Sequence, residues 1–421
     1  MTDIAPPATT DATIARLGTH GDGIADTPSG PLYVAYTAPG DHIRCTRDGA
    51  RGHLVDVITP SPDRAVPLCR HFTICGGCAT QHVTHAAEAR WKSALVRTAF
   101  SQHGIEAPMS ALIASAPHTR RRAVFAARRT NSGVVFGFHE PQGHAIVDLA
   151  ECPILAPAIV ATLPALRALA DALLSRSGEA HVTVVETETG VDVAVTGAKP
   201  TFTVDDRSAI SERARAAGII RLSLEGTPVF ATAEPTLTFG RARVAVPPGV
   251  FLQAVPSAEA AMTGLIVKAC GKSKRIADLF SGLGTFTFPL AARAEVAAFD
   301  NDRAAIEALL AAVKRTSGIK PVTARVRDLY SDPLSARELA AFDAVVFDPP
   351  RAGADAQAQR LAKSQVPVVV AVSCAPGSLA RDVRTLIDGG YALESVTPID
   401  QFLFAPHVEA IAILTRPRKR G

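Results

Sequence analysis

The segment from Val366 to Pro376 limits the possible folds of this chain more than any other stretch. The run Val366 to Val372 is short, apolar and rich in β-branched residues, a pattern typical of a buried strand in a parallel sheet. Pro376 and the helical spacing of Leu379 and Val383 predict that a helix begins directly afterwards. A buried strand that leads straight into a helix indicates an α/β fold.

Cys374 lies between this predicted strand and this predicted helix. In open α/β sheets, ligands bind at the carboxyl ends of the strands, and the amino terminus of a helix favours a thiolate over a thiol. Cys374 is therefore a candidate reactive residue. A buried cysteine with a purely structural role is the alternative interpretation, since that is a common fate of a lone thiol.

A glycine-rich turn and an acidic residue are predicted at the same edge of the sheet. The strand Arg275 to Phe280 leads into Gly282-Leu-Gly284, where glycines let a ligand approach the backbone beside a helix start. The next predicted strand, Val296 to Asp300, ends in an acid placed to accept hydrogen bonds from ribose hydroxyls. A dinucleotide is the rival ligand. However, the third glycine of the dinucleotide fingerprint and a phosphate-binding lysine are both missing, which favours a nucleoside without a pyrophosphate.

Further carboxylates follow at predicted strand ends. One strand ends at Asp328, and another, Ala344 to Asp348, runs into two prolines that make the next loop rigid. Glu409 precedes a predicted strand from Ala410 to Leu414 and offers a carboxylate near the same sheet. A glutamate exposed on the surface is the alternative interpretation of Glu409.

Four of the seven cysteines are candidate metal ligands. Three of them lie in one segment, in which a cysteine is followed by five residues and then by Cys-Gly-Gly-Cys. The glycines let the backbone fold closely around a metal. The fourth precedes a proline, as in ferredoxin-type sites. We expect a 4Fe–4S cluster. Zinc is the alternative, because four cysteines also suit it and His71 and His82 lie close by. The four candidates are Cys69, Cys75, Cys78 and Cys152.

Two domains are predicted to precede the catalytic one. Short strands separated by turn residues between 14 and 60 predict a small antiparallel OB-like barrel, which either binds single-stranded nucleic acid or is a plain accessory domain. Strands and one helix between 134 and 246 predict an α+β domain that houses the metal. We expect a helical segment, 87–114, to pack on the catalytic domain. The predicted division is 1–62 for the barrel, 63–246 for the α+β domain and 247–421 for the catalytic domain.

Composition and charge restrict the class of protein. The 421 residues are 47% hydrophobic and 20% charged, with no apolar run long enough to cross a bilayer, so no membrane partner is expected. The first residues lack the layout of a secretory signal, and we expect a cytoplasmic protein with reduced thiols. The net charge of +4 permits a nucleic-acid partner. The arginines at 120–122 and 128–129 either contact phosphates or form a solvated face.

Together these motifs resemble the AdoMet-dependent RNA 5-methyluridine methyltransferases. They are most similar to the bacterial 23S ribosomal RNA uridine-C5 methyltransferases that carry an iron-sulfur cluster. The resemblance covers nearly the whole chain and rests on six motifs in order. They are Cys69-x5-Cys75-Gly-Gly-Cys78 with Cys152, Phe251-Leu-Gln253, Asp278-Leu-Phe280-x-Gly-x-Gly284, Asp348-Pro-x-Arg-Ala-Gly353, Ser373-Cys374-x-Pro376 and His407-x-Glu409.

The resemblance implies a Rossmann-like class I methyltransferase domain, an amino-terminal TRAM domain that binds RNA, and a central iron-sulfur domain. It implies that Cys374 adds to C6 of a uridine and that Glu409 removes the C5 proton. Thr285 and Asp300 stand where an asparagine and a glutamate are common in the family, a change expected to affect affinity more than activity. The positions that match the AdoMet site are Gln253, Phe280, Thr285, Asp300, Asp328 and Asp348.

The substrate expected from the resemblance is 23S ribosomal RNA, acted on by a monomer, with transfer RNA as the alternative. An amino methyltransferase acting on adenine N6 or cytosine N4 is also suggested by the Asp-Pro-Pro element at 348–350, and that chemistry needs no thiol. A third alternative is an iron-sulfur protein that binds RNA or senses redox state and has an inactive methyltransferase domain.

Overall fold

The structure is a computed structural model that describes residues 9–174, 178–198 and 204–417. Three large sheets follow one another along the chain, and each buries its own set of apolar side chains. Among the helices described, none combines the length and the apolar character that a membrane crossing needs.

The first sheet has six strands in the order β1-β5-β6-β4-β3-β2. All pairs are antiparallel except β4 with β6, which is parallel and departs from the predicted antiparallel pattern. Buried positions alternate along β4, so that Leu32 and Val34 join Ile43 in a small core. The strands are Thr9–Thr13 (β1), Arg16–Leu17 (β2), Gly23–Thr27 (β3), Gly30–Val34 (β4), His42–Asp48 (β5) and Arg51–Thr59 (β6).

A helix, α1 (His85–Gln102), leads from the first sheet toward the catalytic half. Its Val96 and Phe100 pack in one core with residues of the last sheet. The helix is shorter than the predicted segment 87–114, because Gly104 adopts a φ of +67° just after it. The segment that follows instead forms isolated bridges from Met109 and Ile113 to the last sheet.

The central sheet has seven strands in the order β13-β12-β11-β10-β7-β8-β9. Helix α2 packs against it around Phe125, Phe136 and Leu163, as the predicted α+β pattern requires. The elements are Arg122–Thr130 (β7), Gly133–His139 (β8), Ile146–Asp148 (β9), Pro157–Leu173 (α2), Glu179–Thr187 (β10), Gly190–Thr196 (β11), Val204–Ala216 (α3), Ile219–Leu224 (β12) and Thr227–Ala231 (β13).

A hairpin and a seven-stranded sheet form the rest of the chain, and the order of that sheet is β18-β17-β16-β19-β20-β22-β21. The elements are Thr236–Phe239 (β14), Ala242–Ala245 (β15), Pro256–Cys270 (α4), Arg275–Leu279 (β16), Thr287–Ala291 (α5), Glu295–Asp300 (β17), Arg303–Arg315 (α6), Val322–Val326 (β18), Ala336–Leu339 (α7), Ala344–Phe347 (β19), Asp355–Ala362 (α8), Val368–Ser373 (β20), Pro376–Asp388 (α9), Ala392–Ile399 (β21) and Glu409–Thr415 (β22).

The last sheet is covered on both faces, which explains why its strands read as continuous apolar runs. In β20, Val369 and Ala371 join one core while Val370 and Val372 join another on the opposite face. The strands β18, β17, β16, β19 and β20 are parallel, β22 runs antiparallel to β20, and β21 runs antiparallel to β22. The predicted strand before Cys374 and the predicted helix after it are confirmed.

The strand order reverses between β16 and β19. The chain runs outward from β16 through β17 to β18, and then returns to pair β19 with β16 on its other side. Loops at the carboxyl ends of the two central strands therefore lead away from each other and leave a crevice. Such a switch point is where open α/β sheets bind ligands.

Candidate active site

A cavity of about 430 Å³ lies at this switch point. Its wall includes the glycine-rich loop after β16, the acid that ends β17 and the loops after β19 and β20. Seven of the eight residues that the sequence predicts for AdoMet binding and catalysis line it. They are Gln253, Phe280, Thr285, Asp300, Asp348, Cys374 and Glu409.

Asp328 is the predicted residue that the cavity wall does not include. It is exposed, and its carboxylate accepts hydrogen bonds from the Tyr330 backbone N–H at 3.0 Å and the Ser331 hydroxyl at 2.8 Å. These bonds lower the pKa of Asp328. The ring of Tyr330 reaches back to Phe280, with ring centroids 5.6 Å apart. Asp328 therefore shapes a turn beside the cavity, and its contact with AdoMet stays a prediction.

The glycine-rich loop is held by Asp300. One oxygen of this carboxylate accepts the Gly282 N–H at 2.8 Å, and the other accepts the Asp302 N–H at 2.8 Å. Burial raises the pKa of Asp300. Each oxygen keeps a second lone pair, so the carboxylate orders the loop and can still accept a hydroxyl group.

Position 284 requires glycine, because of both its backbone conformation and the side chains packed around it. Its φ is +90°, and a Cβ built there would lie 2.9 Å from a ring carbon of Phe288 and 3.0 Å from Leu309. Beneath the loop, the Thr287 hydroxyl donates to buried Asp278 at 2.5 Å. Burial raises the pKa of Asp278 to about 7. The backbone of the loop thus lies close to the core, as the glycine pattern predicts.

The register of two strands brings Cys374 and Glu409 together. Strand β22 runs antiparallel to β20, and Ser373 pairs with Ala410 at the end of the ladder. Continuing that register by one residue places Cys374 opposite Glu409. Residues directly opposite each other direct their side chains to the same face of a sheet. Both side chains accordingly line the cavity.

The environment of Cys374 opposes ionisation of the resting thiol. Burial, and then the carboxylates of Glu409 and Asp348, raise the pKa of Cys374 to about 11. Desolvation and two nearby carboxylates outweigh the guanidinium of Arg351, which lowers the pKa. The net environment therefore favours the thiol, and the contribution of the amino terminus of α9 stays a prediction.

Glu409 is 2% exposed and is bonded at one oxygen. Its Oε2 accepts the Gln401 amide N–H at 2.6 Å, and its Oε1 has no partner among the described residues. Burial, followed by the neighbouring Asp348, raises the pKa of Glu409 well above its usual value. Gln401 was not predicted, and its position eight residues before Glu409 is the one sequence feature that points to it.

Cys374 also lines a second, open space of about 850 Å³. This groove extends from the first sheet along α1 to the thiol, and Arg16, Trp91 and Arg351 are among the residues along it. The thiol therefore stands where the enclosed cavity and the open groove meet. A reactant in the cavity and a larger partner in the groove could both reach it.

The four predicted metal-ligand cysteines are free thiols in the central region. Burial raises the pKa of each thiol, to about 12 for Cys78, and the nearby thiols raise the pKa of Cys75 and Cys78 further. In the described ranges no three His, Cys, Asp or Glu side chains are placed to share one metal ion. One ring nitrogen of His82 bonds to the Thr37 carbonyl, and one ring nitrogen of His71 accepts the Ala150 N–H.

Comparison with known proteins agrees with this architecture. Residues 246–417 match the family model described as tRNA (Uracil-5-)-methyltransferase. An uncharacterized RNA methyltransferase of Brucella suis biovar 1 (strain 1330) is 46% identical over 97% of this chain and 98% of its own length. The 23S rRNA (uracil(1939)-C(5))-methyltransferase RlmD of Halomonas elongata is 31% identical over 96% of this chain and 89% of its own length.

A solved structure shows the same fold. The tRNA (uracil-54, C5)-methyltransferase of Pyrococcus abyssi, in complex with S-adenosyl-L-homocysteine, superposes with a TM-score of 0.73 over 96% of this chain and 100% of that one, at 23% identity. The sheet of β16 to β22 and the cavity at its switch point are those of a class I AdoMet-dependent methyltransferase. The chain belongs to the RNA (uracil-5)-methyltransferase family, whose members are AdoMet-dependent enzymes.

Proposed function

We propose that this protein transfers the methyl group of AdoMet to C5 of a uridine in 23S ribosomal RNA, with Cys374 as nucleophile and Glu409 as base. The observation that carries the proposal is the facing pair formed by these two residues where the cavity meets the groove. The RlmD relative supports ribosomal RNA as the substrate.

Cys374 supplies the activation that the uracil ring needs, because C5 of uracil is a poor nucleophile. Its thiolate forms a bond to C6, and the electron pair of the C5–C6 double bond moves to C5 and the O4 carbonyl. C5 then attacks the methyl group of AdoMet, and S-adenosyl-L-homocysteine leaves with the electron pair of the sulfur–methyl bond. The methylated base remains bound to Cys374.

Glu409 completes the reaction by removing the proton from C5. The C–H electron pair re-forms the C5–C6 double bond, the bond from C6 to the sulfur breaks, and Cys374 leaves as a thiolate. An oxygen without a hydrogen-bond partner is what this step requires, and Oε1 of Glu409 is such an oxygen in the part of the chain that the structure describes. After release of the product, Glu409 returns its proton to solvent.

The open groove is proposed to hold the RNA around the target. C5 and C6 are shielded in a stacked helix, so the uridine must be splayed out to reach Cys374. We propose that 1–62 is a TRAM domain at one end of the groove, that 63–246 is the iron-sulfur domain and that 247–421 is the catalytic domain. The groove connects the first of these with the thiol of the third.

We also propose that Cys69, Cys75, Cys78 and Cys152 hold a 4Fe–4S cluster with a structural role. Four cysteine thiols suit iron-sulfur ligation. Zinc is the alternative, because a four-cysteine site also suits it. No step of the methyl transfer consumes electrons, so no redox role is needed.

Metal analysis tests the cluster directly. Anaerobically purified protein is expected to contain iron and acid-labile sulfide in equal amounts, and Cys75→Ser should lose both. Cys270→Ser is the matched control, because Cys270 is buried in the catalytic core and should leave the iron content unchanged. Stoichiometric zinc without sulfide would overturn the cluster in favour of the zinc alternative.

Mapping of 5-methyluridine in a deletion strain tests the function. One site in 23S ribosomal RNA should lose its methyl group in the deletion strain. Complementation with the wild-type gene should restore the methyl group, whereas complementation with the Cys374→Ala gene should not. Unchanged 5-methyluridine in both ribosomal and transfer RNA would overturn the proposed activity. If only transfer RNA lost 5-methyluridine, the proposed chemistry would stand and transfer RNA would replace 23S ribosomal RNA as the substrate.

A further inference from the structure

Gln401 lies at the centre of a hydrogen-bond chain between the two sides of the cavity. Its side-chain NH2 group donates to Glu409 Oε2 at 2.6 Å and to Gln253 Oε1 at 2.8 Å. The amide of Gln253 in turn donates to Asp348 Oδ2 at 2.7 Å. Gln401 is 2% exposed, so water does not compete for these bonds.

The orientation of the Gln401 amide is fixed by the backbone. Its Oε1 accepts the Ala254 N–H at 3.1 Å, which only an oxygen can do. The nitrogen must therefore face the two acceptors, Glu409 and Gln253. A flipped amide would place an N–H against an N–H and an oxygen against a carboxylate, and both contacts are repulsive.

We propose that Gln401 is a positioning residue that binds Oε2 of Glu409 and leaves Oε1 as the oxygen that takes the C5 proton. This inference rests on the proposed function of Glu409 as the base. The bond from Gln401 fixes the rotation of the carboxylate about its last side-chain torsion. The free oxygen is thereby held toward the cavity that Cys374 and Glu409 share.

Gln401 also favours the ionised form of Glu409. A hydrogen bond donated to a carboxylate stabilises its charge and lowers its pKa, which opposes the effects of burial and of Asp348. Charged or titratable groups around this site include Asp348 after β19, Cys374 after β20 and Arg351 near the thiol. His407 bonds to Arg351, and Asp400, next to Gln401, is paired with Lys92. Removing the amide should therefore raise the pKa of Glu409 further, while these groups stay the same.

The test separates proton removal from the steps before it. The probe is 23S ribosomal RNA transcribed in vitro with uridine tritiated at C5, used in single-turnover reactions with AdoMet. Two quantities are followed: the amount of covalent enzyme–RNA adduct and the release of tritium to water. Gln401→Met is the main variant because methionine has a similar length and cannot donate a hydrogen bond.

Gln401→Met should form the methylated adduct at close to the wild-type rate. It should then release tritium roughly tenfold more slowly at neutral pH, because the lost hydrogen bond no longer stabilises the ionised base. The base works only when ionised, so the defect should shrink as the pH rises through the increased pKa. Tritium release at the wild-type rate would overturn the inference, as would equal slowing of adduct formation and release without recovery at high pH.

Glu409→Gln in the same assay distinguishes the two proposals. If this variant accumulates adduct and Gln401→Met does not, the base assignment stands and the role of Gln401 fails. If Glu409→Gln releases tritium normally, the proposed function of Glu409 fails.

Should Gln401→Met not fold, Gln401→Glu replaces it, because that variant keeps an acceptor for the Ala254 N–H and presents a carboxylate oxygen to Glu409. It should accumulate adduct, and wild-type tritium release would again overturn the inference.

Discussion

The ammonium group of Lys92 lies 2.6 Å from the carboxylate of Asp400, and both side chains are buried. Lys92 is on α1, whereas Asp400 begins the segment that leads to Glu409. The same ammonium donates to the Phe402 carbonyl at 2.9 Å and pairs with buried Glu88 at 3.0 Å. One lysine thus links the helix along the groove to the segment before the proposed base.

Lys92→Met should destabilise the protein strongly. The change leaves the carboxylates of Glu88 and Asp400 buried without their counter-ion, and breaking a buried pair in this way costs about 3–5 kcal/mol. The free energy of unfolding in urea measures the loss. Lys268→Met is a control on the catalytic domain, where no ion pair is found for the lysine in the described residues. Equal stability of the two variants would show that the buried pair contributes little.

The thiol of Cys374 should be poorly reactive in the free enzyme and should become more reactive as the pH rises. Its pKa of about 11 means that it is protonated at pH 8, so alkylation by iodoacetamide should accelerate about tenfold per pH unit below that pKa. Peptide mapping by mass spectrometry distinguishes alkylation of this cysteine from alkylation of the other six. A plateau reached below pH 8 would contradict the raised pKa.

Asp348→Asn should make Cys374 more reactive at pH 9 in the same measurement. Asp348 has a pKa of about 7, so it is ionised at pH 9, and its negative charge disfavours the thiolate. Removing this charge lowers the pKa of the thiol and raises the rate of alkylation. Asp388→Asn, at the exposed end of α9, is the matched control and should leave the rate unchanged.

Gly284→Ala should weaken AdoMet binding and lower stability. The new methyl group would lie 2.9 Å from a ring carbon of Phe288 and 3.0 Å from Leu309, closer than carbon atoms normally pack, in a backbone conformation that disfavours a side chain. We expect a cost of about 1–3 kcal/mol. Gly218→Ala is the control, because its φ of +71° imposes the same kind of backbone strain, its Cβ would meet open space and it does not line the cavity. The cost there should be about 1 kcal/mol, with the affinity for AdoMet unchanged. Calorimetry of AdoMet binding and urea unfolding compare the two.

Asp300→Asn should reduce affinity for AdoMet while the fold is kept. One of the two backbone N–H groups, of Gly282 or Asp302, would then face an amide nitrogen instead of an oxygen. A lost hydrogen bond and a displaced loop together should weaken binding by about 1–3 kcal/mol. Calorimetry of AdoMet binding measures the change, with Asp388→Asn as the control variant. Unchanged affinity would show that the loop does not depend on this carboxylate.

Local patterns predicted much of the architecture because they reflect short-range physics. The apolar run before Cys374 and the proline after it predicted β20 and the start of α9, and both are confirmed. The predicted helix 87–114 was too long, because α1 ends at Gln102 and the next residues pair with β21 through isolated bridges. That pairing depends on a strand 286 to 287 residues further along the chain, about which a helical pattern carries no information.

The sequence by itself determined that a thiol, a glycine-rich loop and several carboxylates stand at strand ends, since apolar periodicity and turn residues fix where strands stop. Tertiary structure decided which of them meet. The antiparallel insertion of β22 beside β20 placed Glu409 opposite Cys374, and folding buried Gln401 between Glu409 and Gln253. It also decided the pKa of the thiol, because burial and nearby charges are properties of the folded site rather than of the neighbouring sequence.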